Sequence, residues 1–249
     1  VNDRGEKIQK VLAAAGICSR RQAENLIRRG LVRVNGELLD NPAVRVNPAE
    51  DIIEFRGKRV LFPAKDVTCL ILYKTAGMVT STGDPHHRKT VYDLLPQAEK
   101  GKRWLYVGRL DKNTDGLLLF TDSGELVHSL SHPSFKVGKH YRAEVAGHPE
   151  ARDVQKLRRG FEVDGCMMSV DRARILKSET KTTILEIILH HGEKRQIRRM
   201  LGELGFRVIS LCRTRFGPLT LKGLKPGETR KLSEEEIRNL WSAAGHKSK

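Results

Sequence analysis

The sequence predicts an α+β fold in two parts, and three observations carry that expectation. At 249 residues the chain has room for two domains, and 39% hydrophobic residues suffice to bury their cores. Apolar runs of strand length recur along most of it, with short helical patterns scattered between them. That distribution favours a largely antiparallel sheet over alternating βαβ units. A breaker-and-charge segment, Pro63-Ala64-Lys65-Asp66, punctuates the chain as a hinge after its first sixty or so residues. The expected domains are a small α/β unit at 5–63 and a larger unit at 66–245.

In the first domain, Ile8, Val11 and Leu12 share one face of a short helix over Lys7–Ala15. Ser19-Arg20-Arg21-Gln22 has the form of a capping box, in which Ser19 accepts from the backbone three residues on and Gln22 reaches back. The helix that follows turns Ala23, Leu26 and Ile27 inward and stops at Gly30, which suits the left-handed residue that closes a helix. Leu31–Asn35 is a strand entering an Asn35-Gly36 hairpin turn. Val44–Val46 and Ile52–Phe55 supply further strands. In the second domain, strands are expected at Cys69–Tyr73, Leu105–Val107, Leu117–Phe120, Tyr141–Val145, Ala173–Leu176, Thr183–Leu189 and Val208–Leu211. Helices are expected near Glu125–Leu130, Glu150–Arg158, Gln196–Leu204 and Ser233–Trp241, the last opened by a second capping box, Ser233 with Glu236.

Lys and Arg number 46 against 30 acids, a net charge of +16. An excess of that size draws a protein to phosphate backbones through counterion release, without distinguishing RNA from DNA. No apolar segment is long enough to span a bilayer and no basic amphipathic helix dominates, so no membrane partner is expected. Cys18, Cys69, Cys166 and Cys212 are isolated and lack CxxC spacing. They are expected as reduced thiols, packed as small hydrophobes in a cytoplasmic protein. Nothing resembles a secretory signal, and the chain begins at Val1, as a trimmed or partial product would. His86-His87 and His190-His191 are adjacent pairs, and strand neighbours point to opposite faces. His128 and His132 have i, i+4 spacing but lack the Glu of a zinc-protease helix. No metal site is expected.

The stretch Gly108-Arg109-Leu110-Asp111-Lys112-Asn113-Thr114-Asp115-Gly116-Leu117-Leu118-Leu119-Phe120-Thr121 is the most informative in the chain. It fixes one carboxylate, Asp111, between two β-runs of a strongly basic protein, a placement suited to a catalytic group acting on a polyanion. The same letters approach a calcium loop, Asp111-x-Asn113-x-Asp115-Gly116 with Asp122 at the last position. That loop needs helices on both sides and usually a bidentate Glu at its end. Here both flanks read as buried strands, the last residue is Asp and no second copy exists, so the calcium reading is set aside.

This stretch resembles the signature loop of the RNA pseudouridine synthases, in the RsuA/RluB-type branch that modifies ribosomal RNA. Ser19 to Gly36, SRRQAENLIRRGLVRVNG, resembles the core of an S4 RNA-binding domain. Lys139-His140-Tyr141-Arg142-Ala143-Glu144-Val145 is similar to the family's Tyr strand, and Gly192 to Met200, GEKRQIRRM, to its basic third motif. The four matches fall in order along nearly the whole chain. The resemblance implies an S4 domain tethered to a pseudouridine-synthase domain, a bent mixed sheet crossed by the active-site cleft. It implies that Asp111 is the catalytic residue that breaks the C1′–N1 bond of uridine, after which the base turns and rejoins through C5. One carboxylate suits this, either attacking C1′ or removing a proton at C2′, whereas glycoside hydrolysis calls for two.

By the same resemblance Tyr141 offers a stacking face for uracil and a phenol able to relay a proton. Arg198 pairs with Asp111. In a closing cleft a carboxylate drifts toward its neutral form by desolvation, and a guanidinium opposes that drift and fixes orientation. Arg109 holds the flipped nucleotide, fills the gap it leaves, or contacts phosphate. Arg20, Arg21, Arg28, Arg29, Lys139, Arg195 and Arg199 complete the expected RNA contacts. No cofactor is required. The expected partner is ribosomal RNA or a pre-ribosomal particle, met by a monomer, with large-subunit RNA favoured over small-subunit RNA. The reading from another class is a non-catalytic S4-type RNA-binding or ribosome-assembly factor.

If Arg20, Arg21, Arg28 and Arg29 contact phosphates, replacing all four by Ala weakens RNA binding broadly, because phosphate contacts position a protein without reading sequence. The slope of log affinity against log salt flattens by about 0.7 to 0.9 for each phosphate that the variant no longer neutralises. Binding measured across a salt series checks this, and an unchanged slope would mean that the four arginines form a solvated face.

Overall fold

The computed structural model describes residues 5–48, 50–60, 67–86 and 88–245. The expected hinge at Pro63–Asp66 lies outside the described residues, as does His87. The chain divides into two compact units, Val1–Asp66 and Val67–Lys249.

The first unit carries β1 (Glu6–Lys7), α1 (Ile8–Ala14), α2 (Arg20–Arg28), β2 (Val32–Val34), β3 (Glu37–Leu38), β4 (Arg45–Val46), β5 (Ile53–Phe55) and β6 (Lys58–Arg59). The predicted capping box opens α2: the Gln22 backbone N–H donates to Ser19 Oγ at 3.2 Å, and the Ser19 N–H donates to Gln22 Oε1 at 2.9 Å. Asn35 and Gly36 both take positive φ, 53° and 84°, as the short hairpin turn between β2 and β3 requires. Four strands form one small sheet in the order β3-β2-β5-β6, while β1 pairs with β4. Ile8, Val11, Leu12, Ala23, Ile27, Val32, Val46 and Ile53 make the core between helices and strands.

The second unit is built on one nine-stranded sheet. Its elements are β7 (Cys69–Lys74), β8 (Leu105–Val107), β9 (Asp115–Thr121), α3 (Gly124–Ser131), β10 (Lys139–Ala146), α4 (Ala151–Arg159), β11 (Phe161–Val163), β12 (Cys166–Met168), β13 (Arg172–Ser178), β14 (Thr182–Leu189), α5 (Gln196–Glu203), β15 (Val208–Phe216), β16 (Leu219–Thr220), β17 (Thr229–Lys231) and α6 (Glu234–Ala243). The strand order is β13-β14-β10-β15-β9-β7-β17, with β16 beside β15 and β8 beside β9; β11 and β12 form a separate hairpin. Within the large sheet β15 and β9 pair in parallel and the other strands antiparallel, the largely antiparallel mixed sheet the sequence predicted.

Strand β9 is buried on both faces, which explains its unbroken apolar run. Leu117 and Leu119 pack with Cys69, Ile71 and the helices α3 and α6 through Leu126, Leu130 and Leu240. Leu118 and Phe120 pack the other way, against Leu70, Leu72, Val91, Leu95 and Trp104. Each such side chain contributes roughly 1.5–3 kcal/mol by leaving water. In the other half of the sheet, Ala143, Val145, Leu185 and Ile187 meet Leu157 of α4 and Ile197, Met200 and Leu201 of α5.

Several features depart from the sequence reading, among them the short strands β16 and β17, which were not expected. Strand β15 runs on to Phe216, past the expected end at Leu211, because Cys212-Arg213-Thr214-Arg215 continues the ladder although two arginines interrupt its apolar pattern. The β11–β12 hairpin was not foreseen, although Asp164-Gly165 carries its turn with φ of 49° and 74°. Cys166 stands exposed on β12, so it is not packed as a small hydrophobe, whereas Cys69 is.

The two halves of the sheet meet where Gly116 of β9 lies opposite Arg213 of β15. Gly116 has φ of +114°, and a Cβ there would stand 2.3 Å from the Arg213 carbonyl oxygen. Gly116→Ala is therefore expected to destabilise the second unit by about 3 kcal/mol, combining strain with overpacking. Gly165, left-handed at φ +74° but with nothing within 4 Å of its Cβ position, is the control and should lose only about 1–2 kcal/mol as Ala. Urea unfolding of both variants checks this; equal losses would remove the close backbone approach as the constraint.

Candidate active site

Asp111 lies in the short link from β8 to β9, and that link is held chiefly through its backbone. Lys74, the last residue of β7, is 0% exposed. Its Nζ donates to the carbonyls of Thr75 (3.1 Å), Asp111 (3.1 Å), Lys112 (3.2 Å) and Thr114 (2.8 Å). An ammonium has three protons, so four carbonyls share them. Burial pushes the Lys74 ammonium down to about 8, against the opposing pull of Asp115 and Asp111. Two further bonds tie the link down: Thr80 Oγ1 donates to the Leu110 carbonyl at 2.8 Å, and the Gly77 N–H to the Lys112 carbonyl at 2.8 Å. Sequence reasoning missed Lys74. The available signal was a lysine closing the apolar run Leu70-Ile71-Leu72-Tyr73.

Register places Tyr141 near this link. Tyr141 of β10 is opposite Arg213 of β15, which is opposite Gly116 at the start of β9. The half-buried Tyr141 ring packs between the α4/α5 core and the cluster containing Leu118 and Leu110, the residue before Asp111. Arg213 is 1% exposed. Its Nε donates to the Leu117 carbonyl at 2.8 Å, its guanidinium lies 5.3 Å from the Phe216 ring centre, and its Nη2 is buried without a hydrogen-bond partner. Arg213 was also missed, since nothing local distinguishes it from Arg215.

Arg198 reaches the same link from α5, but the expected ion pair with Asp111 is not made. Its Nη2 donates to the Asn113 carbonyl and its Nη1 to the Val208 carbonyl at 3.2 Å, and its buried Nε has no partner among the described residues. Two backbone carbonyls, one on each side, take the guanidinium, so it clamps the link to β15 instead of closing on the carboxylate. Burial and then Arg195 lower its pKa, while the charges of Asp111 and Asp115 oppose that shift. Among the described residues the Asp111 carboxylate accepts no hydrogen bond and makes no ion pair.

The remaining candidates separate into two groups. Arg20, Arg21, Arg28, Arg29, Arg109 and Arg195 are exposed. Lys139 and Arg199, also expected on phosphate, are partly buried and hydrogen-bond to other parts of the protein. Lys139 Nζ donates to the His190 carbonyl at 2.7 Å, and burial pushes it down to about 8. Arg199 Nε donates to Asp164 Oδ2 at 2.6 Å and its Nη2 to the Val163 carbonyl at 3.1 Å, tying α5 to the β11–β12 turn. Asp115 and Gly116 open strand β9, so the helix-flanked calcium loop is not formed. No helix among the described residues is long and apolar enough to cross a membrane.

A carboxylate on a backbone-clamped link of a strongly basic protein suits chemistry on a polyanion, and comparison with known proteins gives the class. Residues 68–203 match the RNA pseudouridylate synthase family and residues 6–53 the S4 domain. An uncharacterized RNA pseudouridine synthase of Aquifex aeolicus is 40% identical over 242 residues, covering 97% of this chain and 96% of that one. The ribosomal large subunit pseudouridine synthase B of Bacillus subtilis is 37% identical over 243 residues, covering 97% and 98%. A crystal structure of a pseudouridylate synthase superposes with a TM-score of 0.65 at 28% identity, covering 94% of this chain and 99% of the other. The chain belongs to the RNA pseudouridylate synthase family: it is an RNA pseudouridine synthase with an S4 domain.

Lys74→Met is expected to loosen the link and slow turnover while leaving the sheet folded. The pH dependence of stability tests the buried charge. With a folded pKa near 8 and an ordinary value of 10.5, Lys74 binds more proton unfolded than folded between those values. Its contribution to stability is therefore full above pH 10.5 and falls as pH drops through 8. Urea unfolding of wild type and Lys74→Met at pH 7.5 and 9.5 measures it: wild type should gain on the variant at the higher pH. A constant difference would show that the ammonium is not desolvated.

Proposed function

We propose that Asp111 is the catalytic carboxylate and that the substrate is a uridine of large-subunit ribosomal RNA. The observation that carries this is an ionisable side chain with no internal partner, on a link whose backbone is held by Lys74, Thr80 and Arg198. Such a group is positioned without being neutralised. The target nucleotide is extruded from its stack, since C1′ is out of reach inside one. Tyr141 presents its ring to the uracil, and Arg109 lies beside the emptied position. The carboxylate attacks C1′ or takes the C2′ proton, and the C1′–N1 bond breaks. The freed base turns and C5 bonds to C1′, displacing the Asp111 carboxylate on the first route and with the proton returned to C2′ on the second; the C5 proton leaves and N1 gains one. The balance is an isomerisation, with nothing oxidised, reduced or consumed.

Support for the large subunit comes from relatives in Bacillus subtilis and Vibrio cholerae, both named ribosomal large subunit pseudouridine synthase B. The S4 domain, which we assign to residues 5–63, supplies exposed arginines for phosphate, and residues 66–245 carry the chemistry. The proposal extends to a cytoplasmic enzyme acting on RNA of an assembling particle, a reading supported by relatives named for the large ribosomal subunit.

Asp111→Asn should lower single-turnover pseudouridine formation by roughly three orders of magnitude or more, with RNA affinity nearly intact. Mapping pseudouridines in both ribosomal RNAs from cells with and without the protein identifies the substrate. Substantial activity in the Asn variant would sink the assignment, and a lost pseudouridine in the small subunit would move the target. Arg198→Met should also lose activity, and Arg198→Lys should recover little, because one ammonium cannot span Asn113 and Val208 as a guanidinium does.

A further inference from the structure

We propose that the face of the sheet turned away from Tyr141 is a second RNA-binding surface, holding sugar-phosphate backbone of the substrate outside the catalytic cleft. The proposal rests on the reading of the protein as an RNA enzyme and adds a site to it. His140 and Arg142 flank Tyr141 on β10, and successive strand residues point to opposite faces. Pairing register then lines up two rows across four strands. One row is Arg172 of β13, Ile188 of β14, His140 of β10 and Arg215 of β15. The next is Arg174, Glu186, Arg142 and Cys212. The apolar core of this half lies on the other face, with α4 and α5.

The first row, with Arg174 and Glu186 of the second, borders an open groove of about 850 Å³ lined by His140, Arg172, Arg174, Glu186 and Arg215 and, from the last turn of α4 beside β13, by Arg158. A solvated sheet face is ordinary in an antiparallel sheet, but such faces mix both signs. Here Glu186 is the one acid among the lining residues, and Arg174 already pairs with it at 2.6 Å. Arg158, Arg172 and Arg215 remain among the lining residues, and Arg142 stands in the neighbouring row; all four are exposed with no ion pair among the described residues, although Arg215 Nε donates to the Gly217 carbonyl at 2.7 Å. Burial, then the neighbouring Arg215, hold His140 below the usual histidine range, so it serves as a neutral ring. Ile188 gives the row an apolar floor between the cations. From β13 to β15 the row spans three strand spacings, about 14 Å. A nucleic-acid backbone laid along it presents several phosphates to the arginines at its ends, where each phosphate bound displaces a counterion. Neither the catalytic link nor the Tyr141 ring is on this face, so the groove contributes affinity and register rather than chemistry.

The test compares unmodified full-length 23S-type ribosomal RNA with its shortest fragment that the wild-type enzyme still modifies. Arg172→Glu/Arg215→Glu should weaken binding of the full-length RNA about tenfold, and Arg172→Gln/Arg215→Gln should lower the salt slope by about 1.4 to 1.8, the equivalent of two phosphates. Affinity for the short fragment and its single-turnover rate at saturating enzyme should stay at wild-type values. Unchanged affinity and slope on the long RNA overturn the proposal. Equal losses on both RNAs overturn it too, since the charges would then be acting through the cleft. Asp111→Asn as background should give the same binding differences. Those differences without wild-type turnover on either RNA would leave the surface standing and remove the functional reading instead.

Discussion

The buried ammonium of Lys74 is the interaction on which the site depends. A charge taken out of water is costly, and it persists only where enough acceptors replace its hydration. Here the acceptors are carbonyls of the very link that carries Asp111. The link is thereby folded around a cation, and its carboxylate is left unengaged. The alternative, a salt bridge to Asp111, would engage the carboxylate that we propose carries the chemistry. Using backbone oxygens for anchoring and leaving the carboxylate unpaired satisfies both demands.

The second constraint is the crossing at Gly116 and Arg213. The parallel pairing of β9 with β15 joins the half-sheet carrying the carboxylate to the half carrying Tyr141 and α5. It demands a backbone approach that only glycine permits. Arg213 stays inside, on the Leu117 carbonyl and against the Phe216 ring. Arg198 then bridges Asn113 and Val208, so the join is held by strand pairing and by a side chain.

The net charge of +16 therefore has two uses. Lys74, Lys139, Arg198, Arg199 and Arg213 hydrogen-bond to carbonyls or a carboxylate within the catalytic unit. Others, including Arg20, Arg21, Arg28 and Arg29 in the first unit and Arg142, Arg172 and Arg215 in the second, are exposed. Composition counts the two groups alike.

What the sequence determined by itself is what short-range rules encode. Ser19 and Gln22 build their capping box because the partners are three residues apart. Asn35-Gly36 makes its turn because both residues tolerate positive φ. Leu117–Phe120 reads as strand because an apolar run of that length must be buried. The contiguous motifs were legible for the same reason: Asp111, Tyr141 and Arg198 each stand within a few residues of the letters that mark them. The rest is long-range. Lys74 meets carbonyls 37 to 40 residues away, and Arg213 a carbonyl 96 residues away. Arg199 finds Asp164 and Lys139 finds His190, partners 35 and 51 residues away that no local pattern marks. Whether a cation faces water or a buried carbonyl is decided by which distant backbone the sheet brings beside it, and local sequence does not encode that.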